Sequence, residues 1–256
     1  LESGTDATQD LTFFPTTTVG GTGSLASDTS QSFTGPRAVK CATGAGAGTA
    51  HVSTPDNILV DTGSQVFCRT RFTALPGTNQ SIVRIKQTSL AVADVRLNTD
   101  GTISMAPTGA TAATSTAVLS IDTWYRLTVS YYITNTTTFT FKLYIHDAAT
   151  DSLIETVTAN AGTLTRTAAT RVGFGWQGSP GNNYSLWYDD MYVATGGASS
   201  STQPDITENI RVISKRPFSN GTTNDFDTQI GVGGSGYGSG HADEVNEQPL
   251  SATNGW

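Results

Sequence analysis

The sequence contains few basic residues and no long apolar run. Only 14 of its 256 residues are Lys or Arg, against 21 Asp or Glu, and the formal net charge is −7. Because the basic residues form neither clusters nor arms, we expect no binding to nucleic acid or to anionic membranes. No apolar run approaches the ~18 residues of a membrane-spanning helix, so we also expect no membrane insertion.

Cysteine and histidine are scarce, which limits disulfide and metal chemistry. The two cysteines, Cys41 and Cys68, lie on separate predicted strands, and the sequence leaves open whether they form a disulfide or stay as buried thiols. The three histidines, His51, His146 and His241, are far apart and lack metal-ligand spacing. A structural zinc site is therefore not expected.

Threonine is the most unusual feature, with 44 residues, and glycine contributes 27 more. The β-branched threonine side chain favours strands, and glycine favours turns. Good helix formers such as Lys, Glu and Met are rare by comparison. The composition therefore predicts an all-β protein but identifies no chemistry.

Alternation of apolar and polar residues, the period of a strand, recurs along the chain. It is clearest in 124–134 and 138–146, where every second residue is Tyr, Leu, Val, Phe or Ile. The short connection 135–137 predicts that these two runs form an antiparallel hairpin. A third strand is expected at 153–158.

Turn signals separate further predicted strands, at 37–42, 65–73, 81–87, 93–98, 102–106, 117–121, 171–176, 184–193 and 209–215. About a dozen short antiparallel strands predict two sheets packed face to face, in a jelly-roll sandwich. We expect 1–34 to form an N-terminal arm or first strand, 35–197 the sandwich, and 198–256 a C-terminal arm. The arm is expected to pack on the sandwich or on a neighbouring subunit. The Ala- and Thr-rich stretch 108–116 is expected to be a loop.

One candidate metal site stands near the end of a late strand. Asp189 and Asp190 follow Asn183, and carboxylate and amide oxygens are ligands that Ca²⁺ prefers. The alternative is that one carboxylate fixes a turn by accepting backbone N–H bonds while the other is solvated. Calcium is therefore one hypothesis, and no other cofactor is expected.

No catalytic set is recognisable in the sequence. The densest acidic cluster, 243–247, lies in the Gly-rich tail, whereas a glycosidase needs paired carboxylates on one face. No GxSxG elbow is present, and the run GVGGSGYGSG at 231–240 lacks the Lys-Ser/Thr of a phosphate loop. From these absences we predict a protein that is not an enzyme.

The segment 122–131, DTWYRLTVSY, resembles the "(G/D)-x-W-Y-x-L" strand of laminin-G-like and concanavalin A-like sandwich domains. Leu143-Tyr144-Ile145-His146 resembles the hairpin strand that follows it in that family, and 188–193 resembles its late "DD-x-x-V" strand. The resemblance covers about 35–195 and implies a concanavalin-like fold. That fold hosts lectins, glycanases, adhesins and viral coat parts, so it does not determine the function.

The tail is similar to the C-terminal stretch of structural proteins of tailed bacteriophages that carry such a sandwich. The similarity lies in 189–193, 209–212, 217–226 and 245–249, although Asn209 stands where glycine is common. It implies a virion structural protein, namely a capsid decoration, fibre or tail-associated subunit, located in the virion or outside the cell. Other virion subunits would be its partners, and a homo-oligomer is expected.

In that hypothesis apolar residues of the arm make most of its contacts with a neighbouring subunit or with the sandwich. They are Ile210, Val212, Ile213, Phe218, Phe226 and Tyr237. The alternative hypothesis is a carbohydrate-binding lectin or adhesin that contacts surface glycans, with a calcium-assisted site at Asp189, Asp190 and Asn183. A third hypothesis, an endoglycanase or polysaccharide lyase, needs a paired acid–base set on one strand face, which the sequence does not show.

Overall fold

The computed structural model describes residues 14, 16–59, 63–178, 180–196, 198–199 and 202–206, with only the backbone described at 45–47. Within these residues the chain forms twelve β-strands and no helix. The strands are β1 (Thr16–Asp28), β2 (Ala38–Ser53), β3 (Ser64–Phe72), β4 (Gln80–Gln87), β5 (Leu90–Leu97), β6 (Ile103–Pro107), β7 (Ala113–Thr114), β8 (Tyr125–Ile133), β9 (Phe139–Asp147), β10 (Leu153–Ala159), β11 (Arg171–Trp176) and β12 (Tyr184–Thr195). The predicted all-β antiparallel class is confirmed.

The 16-residue strand β2 joins the two halves of the sheet. Its first part pairs with β12, from Val39 to Thr43, and its last part pairs with β11, from Ala50 to Ser53. Strand β1 pairs with β2 along nearly the whole length of both strands. The strand order is β10-β9-β8-β3-β12-β2-β11-β4-β5-β6-β7, with β1 beside β2.

Hydrogen bonds connect all twelve strands into one sheet, so the ladder does not divide into the two separate sheets that the alternation predicts. The reason is β2, which is long enough to belong to both halves. The face-to-face arrangement of two sheets therefore stays a prediction.

The two ends of this sheet approach each other and nearly close a barrel. Strand β10 contacts β6 and β7 from the opposite end of the strand order. The Glu155 carboxylate of β10 accepts hydrogen bonds from the backbone N–H groups of Thr116 and Ala117, at 2.9–3.0 and 2.8 Å. A further bridge pairs Ala110 with Gly162. These bonds protect sheet edges that would otherwise be open.

The hairpin of β8 and β9 confirms the prediction from alternation. The apolar face of β8, including Tyr125, Leu127 and Tyr131, is buried against the core. Two local predictions are wrong: 117–121 is not a strand, and the expected loop at 108–116 contains the short strand β7. The predicted strand at 209–215 lies outside the described residues.

Cys41 and Cys68 are free thiols, and both are fully buried in the core. Burial raises the pKa of both thiols well above its ordinary value. Of the two alternatives that the sequence left open, the structure therefore has the unbonded thiols.

Strand β1 lies inside the expected N-terminal arm. The division into 1–34, 35–197 and 198–256 remains a prediction.

Gly175 marks the closest approach of β11 to β2. Its φ is +116°, and a Cβ atom there would lie 2.3 Å from the backbone oxygen of Ala50. We therefore expect Gly175→Ala to lower the free energy of unfolding by more than the ~1–3 kcal/mol of backbone strain alone, as measured by urea denaturation. Gly196→Ala is the matched control, because φ is +78° there with no atom within 4 Å of the added Cβ. Equal losses of unfolding free energy in the two variants would show that the contact with Ala50 adds nothing to the backbone strain.

Candidate functional site

The structure places Asp189 and Asp190 in a network of protein donors. The Asp189 carboxylate accepts hydrogen bonds from the backbone N–H groups of Phe33 and Thr34, at 2.7 and 2.9 Å. Asp190 accepts a bond from the Thr34 hydroxyl at 2.6 Å and forms an ion pair with Arg69. Burial raises the pKa of Asp189 despite the backbone donors. Both carboxylates therefore anchor the loop before β2 to strand β12.

The expected solvation of one carboxylate is wrong, since both aspartates are about 95% buried. Arg69 is itself buried, with 1% of its side chain exposed, and its ion pair keeps Asp190 in the interior. The other half of that alternative, a carboxylate that accepts backbone N–H bonds, describes Asp189 well.

Asn183 is not brought to this pair. It is exposed and lies just before β12, six residues from Asp189 along the chain. At about 3.3 Å per strand residue, the separation is about 20 Å. Among the described residues, no group of three or more His, Cys, Asp or Glu side chains is placed to hold a metal ion. Calcium binding stays a prediction.

The contacts of the C-terminal arm stay a prediction. Ile210, Val212, Ile213, Phe218, Phe226 and Tyr237 all lie outside the described residues.

A different polar cluster lies on strands β2, β4 and β11. Side chains on one face of these strands are basic or small, and we call this the cationic face; it comprises His51, Ser53, Arg84, Lys86 and Arg171. Register brings them together: Arg171 lies opposite Lys86, and Gly173 lies opposite both Ser53 and Arg84. The other face of the same strands is core.

Lys86 is the most unusual member of the cationic face. The residue is 5% exposed, and its ammonium group donates to the Ser53 hydroxyl at 3.1 Å. No carboxylate lies within salt-bridge distance of it among the described side chains. Burial, followed by the charges of Arg171 and Arg84, lowers the pKa of Lys86 to about 8, although Asp94 acts in the opposite direction.

Buried ammonium groups are normally paired, because removing one from water without a counterion is costly. A buried lysine between two guanidinium groups therefore indicates a site that receives negative charge.

Arg84 is held rigidly by Asp94 of β5. Its Nε lies 2.6 Å from one carboxylate oxygen of Asp94, which also accepts a bond from the Ser81 hydroxyl at 2.8 Å. Arg96 reaches the other oxygen at 3.2 Å. With three donors around it, Asp94 fixes the position of Arg84 while a quarter of the Arg84 side chain stays exposed.

A glycine makes room for this cluster. At Gly173 a Cβ atom would lie 3.0 Å from Lys86 Nζ and 2.9 Å from Gln177 Nε2. The side-chain amide of Gln177 is buried and has no hydrogen-bond partner at Nε2. Glycine inside a strand often marks a close approach, and here it lets two nitrogen donors lie over the backbone.

His51 completes the cationic face at the β2 side. Burial, and then the charges of Lys86 and Arg84, lower the pKa of His51 to about 4, so its imidazole is neutral at pH 7. Its Nδ1 atom is buried without a hydrogen-bond partner. The face therefore offers fixed cations, a neutral imidazole and an amide donor, a combination suited to binding a carboxylate and moving a proton.

This cluster is not recognisable in the sequence. There His51 is a residue without metal-ligand spacing, and Arg84 and Lys86 belong to one predicted strand among many. A signal was available in β4, where two cations alternate with Val83 and Ile85, and in β11, where Gly173 and Gly175 occupy alternate positions.

No protein-family model and no curated protein sequence matches this chain. Solved structures do match. An endo-β-1,4-glucuronan lyase from the fungus Trichoderma reesei aligns with TM-score 0.55 and 12% identity, over 74% of this chain and 94% of its own. The cellulose-induced protein Cip1 aligns with TM-score 0.51 and 16% identity, over 74% and 95%.

A third match lies at lower similarity. A botulinum neurotoxin type C, whose cell entry depends on interaction with two ganglioside molecules, aligns with TM-score 0.45 and 13% identity, over 72% of this chain and 45% of its own. The first two matches support the jelly-roll fold. Neither of the first two matches indicates a virion protein, so the virion role stays a prediction.

The prediction that the chain is not an enzyme is wrong. It depended on the absence of recognisable catalytic motifs, but a glucuronan lyase has a similar fold, so that absence does not exclude an enzyme. Side chains brought together from β2, β4 and β11 form no contiguous motif.

In the part of the chain that the structure describes, no helix could span a membrane.

The buried ion pair of Arg69 and Asp190 gives a stability prediction. We expect Asp190→Ala to destabilise the protein by about 3–5 kcal/mol, because Arg69 would keep its charge without its partner. Asp122→Ala is the control: it breaks the Arg71–Asp122 pair, whose aspartate is 52% exposed, and should cost no more than about 1 kcal/mol. Urea denaturation measures both, and similar losses would show that burial does not govern the Arg69 pair.

The low pKa of Lys86 gives a pH prediction. Between pH about 8 and its ordinary value of 10.5, the unfolded chain binds this proton more tightly than the folded one. Stability contributed by Lys86 should therefore rise as the pH increases through that window. We expect Lys86→Met to flatten the rise in unfolding free energy, as measured by denaturation at a series of pH values. An unchanged slope in the variant would contradict the lowered pKa.

Proposed function

We propose that the cationic face binds an acidic polysaccharide, one whose sugars carry uronate carboxylates. The observation that carries this proposal is the buried Lys86 ammonium group, which lies near Arg84 and Arg171 and has a hydroxyl partner but no carboxylate at salt-bridge distance among the described side chains. In a chain of net charge −7, this local concentration of cations favours an anionic ligand at this place rather than over the whole surface.

The geometry suits a carboxylate next to hydroxyl groups. Arg84 and Arg171 have side chains that are 25% and 14% exposed, so a ligand can reach them, while Asp94 holds Arg84 in place. Gln177 Nε2 and His51 Nδ1 offer unused polar atoms for sugar hydroxyls. The fold supports the same proposal, since the T. reesei protein of similar fold is, by its name, a lyase of glucuronan.

A second candidate function is cleavage of that polysaccharide by β-elimination, and the state of Lys86 favours it. An amine with a pKa near 8 is present in part as the free base near neutral pH, as general-base catalysis requires. Guanidinium groups on the uronate carboxylate would make the neighbouring C5 proton more acidic.

In such a step the Lys86 amine takes the C5 proton, and the electron pair of the C5–H bond forms a C4–C5 double bond. The C4–O bond breaks, and the departing oxygen takes a proton from the Lys86 ammonium group. The products are a new sugar end and an unsaturated uronate, and Lys86 returns to its free-base form. No metal or external cofactor enters this balance.

Lys86→Ala tests both functions with polyglucuronate as the probe. We expect binding, measured by calorimetry at fixed low salt, to weaken at least about tenfold, because a charge-assisted contact in a desolvated site is lost. Release of unsaturated ends, followed by their ultraviolet absorbance, should vanish.

The control for this test is Lys40→Ala, which removes the same charge from the other end of β2, where Lys40 pairs with Asp28 at 3.3 Å. An affinity in Lys86→Ala equal to that of the unaltered protein, or an equal loss in both variants, would overturn the proposed site. Binding without unsaturated ends in the unaltered protein would leave recognition in place and exclude the elimination.

A further inference from the structure

A second polar groove runs along β8, away from the cationic face. On this strand Arg126, Thr128 and Ser130 alternate with core residues and therefore share the face opposite to the core. All three are at least 99% buried. Gln65 of β3 lies beside Ser130, and Tyr144 and His146 of β9 lie beside Thr128 and Arg126. We call these six residues the β8 groove.

A short peptide segment, Thr202–Ile206, covers the groove, and we call it the strap. Gln65 Nε2 donates to the Pro204 carbonyl at 2.7 Å, and the Tyr144 hydroxyl donates to the Gln203 carbonyl. Asp205 makes the charged contact: its Oδ2 is 3.2 Å from Arg126 Nη2 and 2.6 Å from His146 Nε2. At these contacts the groove supplies the hydrogen-bond donors, and the strap supplies two carbonyl oxygens and one carboxylate as acceptors.

The Asp205 carboxylate has the strongest contacts in the strap. The other ring nitrogen of His146, Nδ1, faces the carbonyl oxygen of Asp151 at 3.0 Å. Both nitrogens of the ring therefore face oxygen acceptors, and Nε2 is placed to donate to Asp205. Arg126, with 1% of its side chain exposed, adds a positively charged contact. Arginine and histidine here form a buried receptor for one carboxylate.

The strap leaves part of the groove unsatisfied. The hydroxyl oxygens of Thr128 and Ser130 are buried without hydrogen-bond partners, and so is Oδ1 of Asp205. Pro204, at the centre of the strap, has no N–H group to offer. Buried polar atoms are rarely left unpaired, so the strap matches the carboxylate receptor but not the hydroxyls between β3 and β9.

We propose that the β8 groove is a second saccharide site, which binds the carboxylate of an acidic sugar between Arg126 and His146, and that Asp205 occupies this position until the ligand displaces the strap. A uronate sugar carries a carboxylate and several hydroxyls on one ring. Its hydroxyls would supply the hydrogen-bond partners that the hydroxyls of Thr128 and Ser130 lack. No residue of the groove belongs to the cationic face. The strap acts as a built-in competitor and lowers the apparent affinity of the groove.

The test uses the full chain with Lys86→Ala as background, so that the cationic face does not contribute. Oligosaccharides of glucuronate are titrated by calorimetry at fixed salt, with and without Asp205→Asn. We expect Asp205→Asn to raise the affinity by about tenfold, because the ligand no longer competes with a charged occupant. Adding Arg126→Gln should remove this gain.

Asp151→Asn is the matched control. It makes the same change of charge and removes another partner of Arg126, at 2.9 Å, but Asp151 is not part of the strap. An equal gain in Asp151→Asn, or no gain in Asp205→Asn, would overturn the proposal. So would binding of the acidic peptide Thr-Gln-Pro-Asp-Ile, the strap sequence, by Asp205→Asn in the absence of oligosaccharide binding.

A second measurement covers the case in which Asp205→Asn fails to fold. In the otherwise unaltered Lys86→Ala protein, saturating glucuronate oligosaccharide should speed amide hydrogen exchange in residues 202–206 and shift the imidazole signals of His146. Unchanged exchange and unchanged signals at saturation would exclude displacement of the strap. If Lys86→Ala itself leaves the affinity unaltered while Asp205→Asn raises it, the cationic face fails as a site and the groove stands.

Discussion

The structure depends on the pairing of β2. This strand is hydrogen-bonded to β1 along one edge, while its other edge pairs first with β12 and then with β11. Because side chains alternate strictly across a strand, this shared register assigns every second residue of both halves of the sheet to the core. The polar faces of β4 and β8, where the two proposed sites lie, follow from that assignment.

Buried cations are stabilised in two different ways in this fold. Arg69 is paired with Asp190, and Arg126 is paired with Asp205 and Asp151, so each buried guanidinium group has a carboxylate. Lys86 has only a hydroxyl partner and two cations beside it. A buried pair holds elements together, whereas a buried charge without a counterion is costly unless a ligand supplies one. That difference separates Lys86 from the structural pairs.

Much of the sheet could be predicted from the sequence, because strand alternation is a local property. The β8–β9 hairpin and the all-β class follow from short segments. The role of Asp189 does not, because its carboxylate accepts hydrogen bonds from Phe33 and Thr34, which are 156 and 155 positions away in the sequence. The cationic face could not be predicted in the same way. His51 and Lys86 are 35 positions apart in the sequence, and the register of β11 between β2 and β4 is what brings them together. The burial of Asp190 was missed for a similar reason, since Arg69 comes from a distant strand.

The sequence by itself determined that the chain forms antiparallel strands, because threonine, glycine and period-two alternation act on neighbouring residues. It also determined the negative net charge and the absence of any contiguous catalytic motif. Only the tertiary structure decided which strand pairs with which, that the ladder is continuous through β2, and that Cys41 and Cys68 are free thiols. It also decided which cations lose contact with water. These outcomes depend on contacts between residues far apart in the chain, and the pairing of distant strands is set by the packing of the whole core.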